Sequence, residues 1–376
     1  DVNYAGAVLR RGRETGEAVT EQIFIPTPAT VTAEWLTEQL QRAGYAGARV
    51  AGFRASRIGT GQIGLCQRLE LDIEGAPDAP RTLVGKFPSD DETSRATGVA
   101  LRNYLKEVSF YREVKHRLDI RTPRCYFAEI RGEGPEFALL LEDLAPARQG
   151  DQLAGCDAQV ARAAVLALVG LHAPSWCNDA YRGVPWIGEP DASGPEQTRA
   201  LYQSLLPAFL DRYGAHLAPD EADIIAAVAE SPACPLFSPL RAPWSLVHVD
   251  YRLDNLLIDP TGLAVAVVDW QSITLGQPLS DVAYFLGAGM LPDPRREAEA
   301  AIVRAYHDAL LARGVPSYDW ATCWQDYRRG TFAGFGVTVI ASMLVQQTAR
   351  GDEMFTAMAR RHSRHALDLG AMEFLR

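Results

Sequence analysis

The stretch that decides the fold runs from 246 to 259 and reads LVHVDYRLDNLLID, with VVDWQ following at 267–271. Short apolar runs in both segments predict strands, and polar residues lie where those strands end. Asp250 stands five positions before Asn255 in a loop, and Asp269 closes the last strand. A hairpin between the two segments would bring these three side chains to one site. They are therefore the first candidates for function.

These residue types suit phosphoryl transfer. One carboxylate orients the attacking hydroxyl and accepts its proton, while an amide and a second carboxylate supply hard oxygen ligands for Mg²⁺ on nucleotide phosphates. The spacing H-x-D-x4-N, which begins at His248, matches the catalytic loop of kinases. We therefore interpret Asp250 as the base and Asn255 and Asp269 as the metal ligands. Turn residues that only cap strands are the plain alternative, and Asp259 fits that description.

A glycine-rich segment lies upstream of this loop. Gly59, Gly61 and Gly64 have the spacing GxGxxG, which alone is weak evidence because simple turns and two nucleotide-binding architectures share it. Apolar and polar residues alternate from Leu69 to Ile73, as in a half-buried strand over 65–73, so the segment joins two strands rather than opening a helix. A hairpin of this kind covers nucleotide phosphates, because glycine lets backbone amides approach the phosphate oxygens.

A lysine occupies the next predicted strand, at 81–87. The chain has 37 basic residues but few lysines, so Lys86 in an apolar strand stands out as a partner for nucleotide phosphates. A lysine at a strand end is also common at the surface. A kinase needs a carboxylate on the following helix, predicted over 99–118, to hold this lysine. Glu107 and Glu113 are the candidates, and we prefer Glu107 because it lies beside the apolar stripe.

The first part of the chain is predicted to be rich in strands. An irregular extension at 1–29 precedes a helix from Thr32 to Ala43 and strands at 65–73, 81–87 and 137–141. We assign 1–142 to a small N-terminal nucleotide-binding lobe. From about 157 the pattern is mostly helical, with helices predicted at 158–171, 195–230, 295–312 and from 319 onward. We assign 143–376 to a larger catalytic and substrate-binding lobe, which gives an α+β fold.

Composition excludes several other classes. The chain has 376 residues, of which 47% are hydrophobic and 22% charged, as in a globular protein of two lobes. Its net charge of -10 argues against a nucleic-acid partner. The six cysteines are scattered without a CxxC pair, which indicates reduced thiols in a cytoplasmic protein. The most apolar stretch, 333–345, is too short to span a membrane and is predicted to be a buried helix.

Taken together, these segments resemble the aminoglycoside phosphotransferase superfamily of kinase-like small-molecule kinases. The similarity is to the branch that includes ecdysteroid-kinase-like and choline-kinase-like proteins, and it extends in family order over 57–286. The segments that carry it are RIGTGQIG at 57–64, VGKF at 84–87, LKEVSFYREV at 105–114, LLLEDLAP at 139–146, LVGLHAPSW at 168–176, LVHVDYRLDNLLID at 246–259 and VVDWQSITLGQPLSDVAYFL at 267–286.

The resemblance implies a bilobal protein-kinase-like fold with ATP and Mg²⁺ held between the lobes. Backbone groups of the hinge at Glu142 and Leu144 would then meet adenine. Arg252 would steady the γ-phosphate, His248 would brace the catalytic loop, and Asp281 would have a structural role. The sequence departs from the family between the histidine and the base, where Val249 replaces the usual glycine.

Several functions stay open at this point. The leading hypothesis is an ATP-dependent kinase that phosphorylates a hydroxyl of a small molecule. A protein kinase is less well supported, because the short step from Asp269 to Asp281 leaves little chain for an activation segment. A catalytically silent nucleotide-binding protein is the alternative from another class. Aromatic residues at 175–240 and 290–376 slightly favour an apolar or mixed acceptor, and phosphorylation of an aminoglycoside or another antibiotic is the second choice.

Overall fold

The computed structural model describes residues 23–59, 63–188 and 194–376. Gly61 and most of the predicted extension at 1–29 lie outside these ranges. Within them, the strands are Arg49–Ile58 (β1), Gly64–Glu74 (β2), Thr82–Pro88 (β3), Cys125–Ile130 (β4), Phe137–Glu142 (β5), Arg148–Gln149 (β6), Ser245–Val247 (β7), Leu256–Ile258 (β8), Val265–Val267 (β9) and Thr274–Gly276 (β10).

The α-helices of the described ranges lie mostly after the strands of the first half. They are Ala33–Arg42 (α1), Glu92–Ala100 (α2), Asn103–Ser109 (α3), Ala158–Ala167 (α4), Val169–Ser175 (α5), Gly194–Tyr213 (α6), Pro219–Glu230 (α7), Pro278–Gly289 (α8), Pro292–Ala312 (α9), Trp320–Gly330 (α10), Ala333–Phe335 (α11), Ser342–Leu344 (α12) and Ala349–Asp368 (α13). Two π-helical segments, Phe110–Val114 and Gly336–Ala341, continue α3 and join α11 to α12. This distribution confirms the predicted α+β fold with a small β-rich part and a larger helical part.

The β-rich part is a single antiparallel sheet. Its strand order is β1-β2-β3-β5-β4. The apolar and polar residues that alternate in the sequence of β2 are alternately buried and exposed in the structure. Leu69, Leu71 and Ile73 face the core and their neighbours do not. Pairing of β2 with β3 sets Cys66 opposite Lys86, so the register fixes where the lysine lies.

The helix α1 covers the outer face of this sheet. The Thr32 hydroxyl caps its N-terminus by accepting a hydrogen bond of 3.1 Å from the Trp35 amide. Leu36 and Leu40 are fully buried against the sheet. The predicted helix at this position is confirmed.

The single helix predicted over 99–118 is wrong. The chain forms α2 and α3 with a break at Arg102, whose φ is 58°. The break folds the Tyr104 ring back over Gly98, where an added Cβ would lie 2.5 Å from the ring. The Tyr104 hydroxyl donates to the Ile63 carbonyl at 2.7 Å, and Asn103 donates to the Gln271 carbonyl at 3.0 Å. These long-range contacts outweigh the local helical periodicity.

Short strands position the catalytic loop in the helical part. β7 pairs with β10, and β8 pairs with β9 in a hairpin whose register sets Leu256 opposite Val267. The loop that carries Asp250 therefore leaves β7 and ends at β8, while Asp269 follows β9. The helix α8, which is buried along most of its length, packs behind this layer.

Two further expectations concern the chain as a whole. All six cysteines are free thiols. Among the described residues, no helix combines the length and the apolarity that crossing a membrane requires. The boundary between 142 and 143 stays a prediction.

Candidate active site

A cleft of about 1230 Å³ lies between the sheet and the helical part. Apart from Gly61, which is outside the described residues, every site residue predicted from the sequence lines it. These residues are Gly59, Gly64, Lys86, Glu107, Glu142, Leu144, Asp250, Arg252, Asn255 and Asp269. The structure therefore brings together residues that are separated in the sequence by as much as about half of the chain length.

Lys86 links the two sides of the cleft. Its Nζ lies 2.7 Å from Oε1 of Glu107 and 2.9 Å from Oδ1 of Asp269. Burial opposes the charged form of the lysine, but the two carboxylates outweigh burial and raise the pKa of Lys86 well above its usual value. Glu113, the other candidate, instead accepts a hydrogen bond from the Trp186 indole at 2.7 Å. A lysine on β3 held by a helix glutamate is the arrangement of protein-kinase-type phosphotransfer sites.

The last glycine of the glycine segment, Gly64, lies beside this lysine. Gly64 begins β2, and a Cβ added there would lie 3.0 Å from Cε of Lys86, so a side chain would crowd the lysine. Gly59 ends the described part of the loop with a φ of 71°, which glycine adopts without strain.

One buried carboxylate shapes the catalytic loop. Asp281 accepts hydrogen bonds from the amides of His248 at 2.6 Å and Val249 at 2.9 Å, and His172 lies 3.4 Å from the same carboxylate. The His248 ring contacts the Val268 carbonyl at 3.1 Å and so ties the loop to the segment between β9 and Asp269. The structural roles expected for His248 and Asp281 agree with these contacts.

Val249 has a backbone conformation that β-branched residues rarely adopt. Its φ is 73°, in the left-handed region. The two amide hydrogen bonds to Asp281 hold the loop in this conformation, which explains how valine occupies a position where the family has glycine. The side chain is half-buried and lines the cleft next to Asp250.

This strain gives a stability prediction. We expect Val249→Gly to be more stable than Val249→Ala by about 1 kcal/mol, because alanine keeps the left-handed strain and glycine does not. At positions with ordinary backbone angles, an alanine variant is normally more stable than a glycine variant, because glycine loses more entropy on folding. Urea unfolding of the two variants measures the difference. An alanine variant as stable as the glycine variant would show that the loop carries no strain.

Asp250 receives hydrogen bonds from three side chains. Arg252 Nε and the Tyr284 hydroxyl each donate to Oδ1 at 3.0 Å, and Asn255 Nδ2 donates to Oδ2 at 2.9 Å. Burial would raise the pKa of Asp250, but the charges of Arg252 and His248 and these hydrogen bonds lower it below its usual range. Asp250 is therefore a fixed, charged carboxylate at neutral pH. Sequence reasoning missed Tyr284, since nothing in the pattern of α8 separates it from its apolar neighbours.

Asn255 and Asp269 lie at the same end of one hairpin. The Val268 amide donates to the Asn255 carbonyl at 3.0 Å, which sets Asn255 beside Asp269. The Asn255 amide nitrogen is directed at Asp250, so its oxygen is the atom available to a cation. The described residues contain no cluster of three or more His, Cys, Asp or Glu that could hold a metal. The side-chain oxygens of Asn255 and Asp269 fit Mg²⁺, which commonly takes one or two carboxylates plus phosphate oxygens and waters.

Arg252 is held by the large lobe. Its Nη1 donates to Asp254 at 2.6 Å and contacts Sδ of Met354 in α13 at 3.0 Å. Burial works against its charge, but Asp250 and Asp254 raise the pKa of Arg252 above its usual value. The guanidinium is thus anchored beside the candidate base.

The hinge residues Glu142 and Leu144 also line the cleft. The Glu142 side chain pairs with Arg121 at 2.8 Å, and the Glu142 amide donates to the Arg124 carbonyl at 2.8 Å. Leu144 follows, and its carbonyl accepts from the Ala147 amide at 2.9 Å. Ion pairing of Asp143 with Arg68 at 2.7 Å connects the hinge to β2.

Curated relatives match only in short stretches. Acyl-CoA dehydrogenase family member 10 from Mus musculus is 39% identical over 87 residues, which are 23% of this chain and 8% of that protein. Acyl-CoA dehydrogenase family member 11 from Homo sapiens is 50% identical over 42 residues, which are 11% of this chain and 5% of that protein. The chain thus spans a small part of these much longer relatives.

Solved structures match over more of the chain at low identity. Choline kinase from Cryptosporidium parvum Iowa II is 8% identical with a TM-score of 0.49, covering 85% of this chain and 89% of that one. Plasmodium vivax ethanolamine kinase is 10% identical with a TM-score of 0.49, covering 82% and 81%. Macrolide 2'-phosphotransferase type I is 15% identical with a TM-score of 0.46, covering 90% and 98%.

A sequence profile supplies the family assignment. The profile described as "Phosphotransferase enzyme family" (APH) matches residues 78–321, from just before Lys86 to beyond Asp281. Because that match covers more than half of the chain and includes the catalytic loop, the protein belongs to the phosphotransferase enzyme family.

Proposed function

We propose that this protein is an ATP- and Mg²⁺-dependent kinase that transfers the γ-phosphoryl group to a hydroxyl of a small molecule. The observation that carries the proposal is the convergence of Asp250, Asn255 and Asp269 with Lys86 on one cleft. Each is a residue type that phosphoryl transfer uses, and the Lys86–Glu107 pair is formed.

The reaction assigns a task to each group. Asp250 orients the acceptor hydroxyl and accepts its proton as the oxygen attacks the γ-phosphorus, and the bond from that phosphorus to the β,γ-bridging oxygen breaks to leave ADP. Asn255 and Asp269 would hold Mg²⁺, which when bound neutralises charge on the phosphates. Lys86 binds the α- and β-phosphates. Arg252, fixed beside the base, steadies the γ-phosphate.

The nucleoside would lie at the hinge. Glu142 and Leu144 both line the cleft. We expect the Leu144 amide to face adenine. The glycine segment at Gly59–Gly64 would cover the phosphates.

Two alternatives fit the site less well. A silent nucleotide-binding protein would be expected to lack the base or a metal ligand, and this chain has both. A protein kinase needs a peptide-docking segment after the second aspartate, whereas here β10 and α8 follow Asp269 almost at once. Aminoglycoside or other antibiotic phosphorylation stays the second choice among acceptors.

The test is release of ADP from Mg-ATP in the presence of candidate acceptors. The panel includes a steroid alcohol, a long-chain alcohol, amino alcohols, sugars and an aminoglycoside. We expect acceptor-dependent ADP release that EDTA abolishes. Binding of Mg-ATP without turnover of any acceptor would favour the silent protein.

A further prediction concerns Tyr284. Tyr284→Phe removes one hydrogen bond to the charged form of Asp250, so we expect the pKa of Asp250 to rise toward its usual value. The acid limb of the kcat profile should then move to higher pH by about one unit, with little change in the KM for ATP.

The matched control is Tyr202→Phe. Tyr202 is also buried, and its hydroxyl donates to the Ile225 carbonyl at 3.0 Å, away from the base. We expect this variant to keep the wild-type pH profile. If both variants gave the same profile, Tyr284 would have no role in positioning Asp250.

A further inference from the structure

One side of the cleft is built from apolar side chains on two helical segments. The run from α11 through the π-helix to α12 presents Val337, Ile340 and Leu344, which are spaced at helical intervals. The first two are half-buried and Leu344 is 46% exposed. The sequence predicted a buried helix over 333–345. That prediction is wrong for these positions, because they face an open cleft.

The helix α13 continues the same surface. Met354 and Phe355 are adjacent, Met358 lies about one turn further on, and all three also line the cleft. Together with Val337, Ile340 and Leu344 they form what we call the apolar wall. Contact between Met354 and Arg252 at 3.0 Å joins the wall to the catalytic loop, so a molecule on the wall would lie next to Asp250.

The π-helix is an independent sign of function at this place. Gly336–Ala341 is a wider helical turn inside an otherwise α-helical run. Such segments are uncommon and frequently occur at functional sites. Here the π-helix includes two residues of the wall, Val337 and Ile340.

Among the residues that the structure describes, the acidic side chains of the cleft are already paired. Its acidic side chains each have a cationic or amide partner: Glu107 and Asp269 contact Lys86, Asp250 and Asp254 contact Arg252, Asp143 contacts Arg68, Glu142 contacts Arg121, and Asp281 contacts His172 and two amides. Arg350, at the edge of the wall, lies 3.5 Å from Asp254 and 3.7 Å from Asp151. A cationic acceptor would therefore find no unpaired carboxylate among these side chains.

The aromatic residues singled out in the sequence do not change this picture. Trp186, Tyr202, Phe209, Tyr327 and Phe335 are buried in the core rather than arranged around the cleft. Among the described residues that line the cleft, the only Phe, Tyr or Trp side chains are Tyr111 and Phe355, and both are buried, so they do not form the cage that binds quaternary ammonium groups.

We infer that the acceptor is an uncharged alcohol with an extended apolar body, which lies on the apolar wall with its hydroxyl at Asp250. This inference rests on the proposed kinase function and names its substrate class. At about 1230 Å³ the cleft exceeds the usual size of a pocket for one small ligand, so it has room for a nucleotide and such a body together.

Binding and turnover are tested separately. In the binding arm, calorimetry measures 1-decanol and a steroid alcohol against choline and an aminoglycoside, each added to the full chain with Mg²⁺ and a non-hydrolysable ATP analogue. In the turnover arm, ADP release from Mg-ATP is measured with the same four compounds. We expect at least one uncharged alcohol to bind and to be phosphorylated, and the two cations to do neither.

Matched variants locate the binding surface. Leu344→Asn changes the wall, while Leu311→Asn changes a leucine of similar exposure, 42%, on α9 outside the cleft. We expect Leu344→Asn to weaken binding of the alcohol about tenfold and to leave the KM for ATP unchanged, because it removes apolar contact only from the acceptor. Leu311→Asn should bind as the wild type does, and thermal unfolding of both variants checks that they fold.

The two arms separate two kinds of failure. If neither uncharged alcohol binds, or if both leucine variants weaken binding equally, the inference about the wall is overturned. If choline or the aminoglycoside is phosphorylated instead, the wall inference also fails while the kinase function stands. If an alcohol binds through Leu344 but no compound releases ADP, the wall is supported and the proposed function fails.

Discussion

Asp250→Asn lowers acceptor-dependent ADP release about 10²- to 10⁴-fold, which is the expected contribution of a positioned general base. Asparagine has nearly the same shape, and Arg252 keeps its second partner, Asp254, at 2.6 Å. What the variant loses is the negative charge that receives the hydroxyl proton. We therefore expect the affinity for Mg-ATP to stay close to that of the wild type.

A neighbouring aspartate provides the control for this experiment. Asp259 caps the β8–β9 turn, where its carboxylate accepts hydrogen bonds from Thr261, Leu263 and Ala264. Asp259→Asn can keep most of these contacts and should keep full activity. If Asp250→Asn released ADP at the wild-type rate, as we expect Asp259→Asn to do, another group would have to be the base.

Asp269→Asn is the second large expected effect. We expect it to remove most of the Mg²⁺ dependence of nucleotide binding and to lower kcat about 10³-fold, because a carboxylate that holds the cation is lost. Nucleotide affinity measured over a series of Mg²⁺ concentrations gives the dependence, and ADP release gives kcat. An unchanged dependence on Mg²⁺ would identify a different set of ligands.

Asparagine is the better substitution here for a structural reason. Asp269 has a φ of 66°, and asparagine tolerates the left-handed region at least as well as aspartate. Alanine at this position would add backbone strain to the loss of the ligand and so mix two effects. Lys86 retains Glu107 at 2.7 Å in either variant, which keeps the upper side of the cleft intact.

Much of the site could be predicted because its residues are close in sequence to strong local signals. The catalytic loop, Asp269 and Lys86 each follow a short apolar strand, and strand ends at one edge of a hairpin converge by geometry. The choice of Glu107 over Glu113 also followed from helix register, although the helix itself is broken at Arg102. These groups now share one cleft, while their individual roles stay proposals.

The remaining features depend on contacts between distant parts of the chain. The donation from Tyr284 to Asp250 joins α8 to the catalytic loop, and no sequence spacing marks it. The composition of 333–345 is typical of a core helix. Ile340 nevertheless faces the cleft, together with residues of α13, and this arrangement depends on packing between distant parts of the chain. Strands as short as β8 and β10 carry too few residues for a period-two pattern to be recognised.

The contact of Lys86 with both Glu107 and Asp269 has a mechanical consequence for the cleft. Glu107 lies on α3 and Asp269 follows β9, so one ammonium group on β3 is tied to two separate parts of the chain. A hinge movement that opened the cleft would lengthen at least one of these two contacts. The lysine therefore acts as an ionic brace that favours the closed arrangement of the cleft.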